Sequence, residues 1–146
     1  MTVSWQARVA TFIVRRRVRP ALANMADIPS VRRAFNTPLP APRGVRYTPA
    51  TVGGVAGEWV EAERPAAGDA SVTTLLYLHG GGFVACSART HRPLTAALAL
   101  QGLRVFAPDY RLAPEHPFPA APDDALAVWR ALRAQLTAGH RLTVAG

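Results

Sequence analysis

The 146 residues are 49% hydrophobic and 18% charged, which supports one ordinary core and excludes both wholesale disorder and a chain of several domains. The net charge of +8 sits at one end: positions 1–46 hold nine arginines against Asp27, while the remaining hundred balance eight arginines with eight acids. A single cysteine, Cys86, excludes an internal disulfide framework and fits a reducing, cytoplasmic compartment.

The chain opens MTVSWQARVATFIVRRRVRPALANM. Arg8, and then Arg15, Arg16 and Arg17, interrupt its apolar stretch, which is too short to span a bilayer. The arginines follow the apolar stretch, the reverse of a signal peptide. Trp5, Val9, Phe12 and Ile13 recur at helical spacing opposite Ser4, Arg8, Thr11, Arg15 and Arg19, so the pattern predicts an amphipathic helix. Its apolar stripe is expected to pack on the body and its basic face to meet solvent; a weak contact with a membrane surface is the other use of such a helix. Nucleic acid is not expected as a partner, because no aromatic is interleaved with base-reading polar groups. Residues 26–43 contain four prolines and read as an irregular linker, so residues 1–43 form an arm and 44–146 a core.

In the core, 45–48 and 57–63 flank a Thr51-Val52-Gly53-Gly54 turn, and the alternation of apolar and charged residues in the second segment predicts a half-exposed strand of an antiparallel hairpin. The segment 64–71 reads as a loop. Residues 72–78 are a near-continuous apolar run, as in a strand buried on both faces. Ser87 is placed to cap a helix running to about Leu100, with Gly102 as its stop. Residues 103–107 predict a second buried strand, 119–138 a helix with Asp123 and Asp124 near its start, and 141–145 a third strand. Strand, helix, strand, helix, strand is the order of a parallel sheet wound by helices, an α/β fold.

His79-Gly80-Gly81-Gly82 follows the first of these buried strands, at the carboxyl end where α/β sheets meet their ligands. The segment lacks the G-x-G-x-x-G spacing and the Gly-Lys-Ser/Thr of phosphate loops. Bare glycines also let two backbone N–H groups converge on one oxygen, as an oxyanion hole requires. Downstream, residues 109–121 read DYRLAPEHPFPAA.

On these two motifs the chain resembles the hormone-sensitive-lipase-like esterases of the α/β-hydrolase superfamily, closely over 45–146 and only loosely in the arm. The resemblance implies the N-terminal half of an α/β-hydrolase fold: a mostly parallel sheet flanked by helices and preceded by a helical cap arm. It gives Gly81 and Gly82 the oxyanion N–H groups, has Gly80 keep the turn open, and makes His79 an anchor of the loop. Asp109, Tyr110, Arg111, Glu115 and Asp123 become supporting residues, with a charge pair expected among Asp109, Arg111, Glu115 and Asp123. The implied reaction is hydrolysis of a small-molecule ester through an acyl-enzyme, with no cofactor.

The family's nucleophilic serine lies in a G-x-S-x-G elbow after the fifth strand. Gly146 stands at the first elbow glycine, so the serine and its triad partners are expected beyond it. Ser4, Ser30, Ser71 and Ser87 are the serines present, and none lies in an elbow. His91, His116 and His140 read as surface or motif residues. Cys86 has no basic neighbour to lower its pKa, and no His/Cys cluster has metal-ligand spacing. The 146 residues are thus expected to carry the oxyanion half of a site without the attacking half. They are expected to be inactive alone and, with an open strand edge beside Val144, prone to associate. Two other readings stand beside this one: a non-catalytic protein whose glycine loop holds a small carboxylate, and a basic peripheral module acting through 1–24.

Overall fold

The computed structural model of the chain describes residues 4–23, 26–37, 40–64 and 73–146. Ser71, Val72 and all of the expected 64–71 loop except Arg64 fall outside the described residues. Five strands, β1 (Val45–Val52), β2 (Val55–Ala62), β3 (Thr73–Tyr77), β4 (Arg104–Pro108) and β5 (Arg141–Ala145), form one sheet in the order β1-β2-β4-β3-β5. β3 runs parallel to β4 and β5, and β2 runs antiparallel to β1 and β4.

The hairpin forms where the alternating pattern placed it. Gly53 and Gly54, at φ +59° and +81°, supply the two left-handed residues that a tight hairpin turn needs to match strand twist. Gly53 has a second duty. A Cβ there would lie 2.5 Å from the Ala127 carbonyl oxygen of helix α5 (Ala120–Gln135), so the turn and the helix touch backbone to backbone.

Side chains alternate across a strand, and the apolar runs of β3 and β4 therefore feed two cores. Leu75, Tyr77 and Val105 pack with Ala96 and Ala99 of helix α4 (Arg92–Leu100) on one face. Leu76 and Phe106 pack with Val128 and Leu132 of α5 on the other. Covered on both faces, β3 and β4 match the continuous apolar runs that predicted them. Ser87 does not cap α4, whose N-cap is His91; it lies two residues before a short 3₁₀ turn (Arg89–His91), where its Oγ accepts the Thr90 N–H at 3.3 Å.

Two expectations about the arm need correcting. The stretch 26–43 is not wholly irregular, because helix α3 (Ile28–Phe35) lies within it. Asp27 Oδ1 accepts the Ser30 N–H at 3.1 Å as its cap, Pro29 occupies the first turn where a missing N–H costs nothing, and Val31 is buried. Before it, α1 (Trp5–Ile13), a π-helical turn (Val14–Val18) and α2 (Arg19–Ala23) confirm the helical spacing but not the burial of its apolar stripe. Trp5 is 71% and Phe12 62% exposed.

At the other end β5 is an edge strand paired with β3 alone, and Val144 is 55% exposed. Among the described residues no helix is long and apolar enough to cross a membrane.

Candidate active site

Because β3 and β5 are parallel neighbours, their carboxyl ends finish together. The Leu78 N–H donates to the Ala145 carbonyl at 2.8 Å, and a Cβ on Gly146 would lie 2.6 Å from the Leu78 carbonyl oxygen. His79 is the next residue, so the glycine loop starts where β5 also ends.

The three glycines are not equivalent. Gly80 gives its N–H to His91 Nε2 at 3.3 Å. Gly81, at φ +126°, turns its carbonyl to the N–H groups of Val84 and Ala85, each at 3.2 Å, and folds the loop back on itself. A Cβ on Gly81 would be driven into the Ala85 carbonyl and within 3.0 Å of Cys86 Cβ. Gly82, at φ +63°, faces open space. Among the described residues no acceptor meets the N–H of Gly81 or Gly82. An oxyanion hole needs two such backbone donors without protein acceptors. Phe83 and Cys86, neither of them glycine, are also left-handed at φ +61° and +72°, and such strain persists only where surroundings impose it.

Those surroundings begin with Tyr110 and His79. The His79 ring is 3% exposed and stacks on Tyr110 at 4.2 Å between centroids, 11° from parallel. Its Nδ1–H donates to the Gly80 carbonyl at 2.9 Å, and the Tyr110 hydroxyl donates to the His79 carbonyl. Burial holds the His79 imidazole below its ordinary pKa, hence neutral, and pushes the Tyr110 phenol up to about 12, hence a permanent donor. His79 Nε2 is buried without a partner among the described residues. Asp109 Oδ1 accepts the Ala88 N–H at 2.7 Å and fixes the far end of the loop.

The charge pair expected among Asp109, Arg111, Glu115 and Asp123 does not form among these four. Arg111 pairs with Asp124, through its backbone N–H at 2.9 Å and its guanidinium at 2.7 Å. Asp124 and not Asp123 is the partner because it lies on the buried face of α5 with Ala121 and Val128. The Arg111 hydrogen bonds hold its carboxyl below the usual carboxylate range.

Glu115 pairs instead with Arg32 of α3, Oε2 to Nη2 at 2.6 Å, and those bonds lower its pKa to about 2. A carboxylate depressed in this way contributes stability above its ordinary range of about 4.3, lost as pH falls toward about 2. Side-chain carboxyl NMR is expected to show Glu115 titrating near about 2, and an ordinary midpoint would mean that the pair does not persist in solution.

Arg32, Asn36, His91 and Asp124 all touch this site, and none was assigned a role there from sequence. The helical face shared with Ala121 and Val128 is the signal that could have found Asp124, and Asp27-Ile28-Pro29-Ser30 the one that could have found α3; nothing in the sequence points to the contacts of Arg32 or Asn36.

A sheet of this order, with a glycine loop at the carboxyl end of a central strand, defines the class as an α/β hydrolase. The family model described as alpha/beta hydrolase fold matches residues 75–146. An acetyl-hydrolase of Streptomyces hygroscopicus is 47% identical over 97 residues, which cover 66% of this chain and 31% of the relative. An ethyl acetate hydrolase of Pseudomonas putida is 49% identical over 77 residues, covering 49% of this chain and 24% of that protein. The solved structure of an esterase from the bacterial hormone-sensitive lipase family superposes with a TM-score of 0.75 at 32% identity, over 99% of this chain and 48% of that one. The chain belongs to the hormone-sensitive-lipase-like carboxylesterase family, and it spans less than half the length of each of these relatives.

Proposed function

We propose that the protein hydrolyses small carboxylic esters, and that the glycine loop stabilises the tetrahedral oxyanion through the N–H groups of Gly81 and Gly82. The supporting observation is the pair of amides without acceptors among the described residues, four and five residues past the shared end of β3 and β5. In the full-length protein the residues after Gly146 supply the serine of a nucleophile elbow and, later, the acid and histidine. Serine attacks the ester carbonyl, the alcohol leaves, and water releases the acid from the acyl-enzyme. His79 takes no proton in this scheme; neutral and buried, it holds the loop with Tyr110, while Asp109, Arg111 and Glu115 brace the segments around it. The relatives' activities on acetyl groups and ethyl acetate favour a short acyl chain. In this reading residues 44–146 are the core, 1–43 lie on the cap side, and the protein acts in the cytoplasm without a cofactor.

The full-length natural protein is expected to hydrolyse short aryl esters with a burst of alcohol release, and residues 1–146 alone to show no turnover above buffer. Turnover by the 146 residues would place a nucleophile within them. A full-length protein that binds short carboxylates and hydrolyses no ester would favour the non-catalytic alternative.

A further inference from the structure

We infer that Arg32 is a positioning residue for the oxyanion loop, and that helix α3 of the arm is the outer wall holding the loop in its left-handed form. One guanidinium joins three partners. Its Nε donates to the Val84 carbonyl at 2.8 Å, Nη2 donates to the Ala113 carbonyl at 3.0 Å, and Nη1 and Nη2 hold the Glu115 carboxylate at 2.7 and 2.6 Å. Ala113 in turn gives its N–H to the Phe83 carbonyl at 2.8 Å. Phe83, Val84, Ala113 and Arg32 thus form a closed circuit that begins one residue after Gly82. A turn further along α3's C-terminal side, Asn36 Oδ1 accepts the N–H of Cys86 at 2.7 Å.

Both non-glycine residues with positive φ among the described residues, Phe83 and Cys86, are held by these contacts, which also hold Val84 between them. Nothing intrinsic to a phenylalanine or a cysteine favours that conformation, so the hold comes from outside the loop. α3 is itself fixed by its Asp27 cap and by buried Val31, so it offers a rigid wall. Without Arg32, the Val84 and Ala113 carbonyls lose their donor, residues 83–86 relax, and the Gly81 and Gly82 amides move with them.

The effect on rate rests on the ester-hydrolase reading; the effect on the loop does not. In the full-length protein, Arg32→Gln is expected to lower kcat on short aryl esters about tenfold with KM within about twofold, since small misplacements of reacting groups cost rate and not binding. It is also expected to speed amide exchange across residues 80–86 by about tenfold while β3 and β4 keep their protection. Arg32→Lys keeps the charge, but a compact ammonium does not span Val84, Ala113 and Glu115 together, so it is expected to be as impaired as Arg32→Gln. Glu115→Gln leaves both carbonyl contacts in place and is expected to lose about threefold or less. Should Arg32→Gln unfold, as lost protection in β3 would show, Asn36→Ala frees the Cys86 N–H alone and carries the same comparison. Wild-type kcat in Arg32→Lys would reduce Arg32 to a simple charge, and unchanged exchange at 80–86 in every variant would overturn the inference. If the wild-type protein hydrolyses no ester, the functional reading fails and the exchange data alone decide the positioning claim.

Discussion

Gly81→Ala is expected to lower kcat of the full-length protein on short aryl esters by about 10²–10³-fold, the scale of losing an oxyanion donor, with KM changed little. The cause is local and steric. The new methyl would meet the Ala85 carbonyl group, with its carbon at 2.7 Å, and the Cys86 Cβ at 3.0 Å. The carbonyl group is backbone, held in the turn by the same loop, and cannot swing away as the tip of a flexible side chain would. A φ of +126° is also a conformation that L-residues rarely adopt, so the loop must open to accept the change. Opening it breaks the Gly81 carbonyl contacts to Val84 and Ala85 and displaces the two amides with the loop. Gly82→Ala is the contrast. Its methyl meets open space, and φ +63° is the left-handed region that alanine reaches at a cost of about 1–2 kcal/mol. A loss of less than about tenfold is expected there. If Gly81→Ala turned over substrate at the wild-type rate, the loop would not be the oxyanion hole.

The contrast between these two glycines was not legible in the sequence, although the loop itself was. HGGG after an apolar run marks a strand end and a turn, but which glycine is crowded depends on where Ala85 returns, and that is set by Asp109, Tyr110 and α3 from distant positions. The buried strands were legible for a simple reason: β3 and β4 are covered on both faces, so apart from Arg104 at the start of β4 every position along them is apolar or small. The hairpin was legible because Gly53 and Gly54 fix a turn whose residues are nearly unique to it. Helix α3 was obscured by the four prolines between 26 and 43, which read as a linker as a group. One of them, Pro29, sits in a first helical turn behind an Asp27 cap, and read singly it is a start signal. The stripe of Trp5 and Phe12 shows the other limit: amphipathic spacing predicts a helix without naming what covers it. Arg111 illustrates both sides. Its need for an acid was evident, yet the choice between Asp123 and Asp124 is a rotation of about 100° around α5, decided by the face that carries Ala121 and Val128.

Arg92→Met is expected to destabilise the full-length protein by about 3–5 kcal/mol, while the double variant Glu58→Leu, Arg92→Met recovers to within about 1 kcal/mol of wild type. Glu58 lies on β2, between β1 and β4, and is only 6% exposed. Both of its oxygens are met by Arg92, with Nε at 3.0 Å and Nη2 at 2.6 Å. The guanidinium also lies 4.3 Å over the Tyr47 ring on β1, so the first residue of α4 is pinned to two strands. Methionine keeps most of the Arg92 stem and its cover over Tyr47. What it removes is the charge, which leaves the Glu58 carboxylate desolvated and alone. An unpaired buried carboxylate must take up a proton or draw in water, and either response costs more than the pair gained over two apolar side chains. Replacing both partners removes that penalty along with the attraction, which is why the double variant is expected to be close to neutral. Urea unfolding of the single and double variants measures both quantities, provided the slope with denaturant stays constant. A single variant as stable as wild type would show that water already reaches Glu58. A double variant as unstable as the single would show that the geometry of the pair, and not its charge balance, fixes α4 on the sheet. In that case the glycine loop, whose Gly80 N–H rests on His91 just before α4, would lose its anchor in both variants alike.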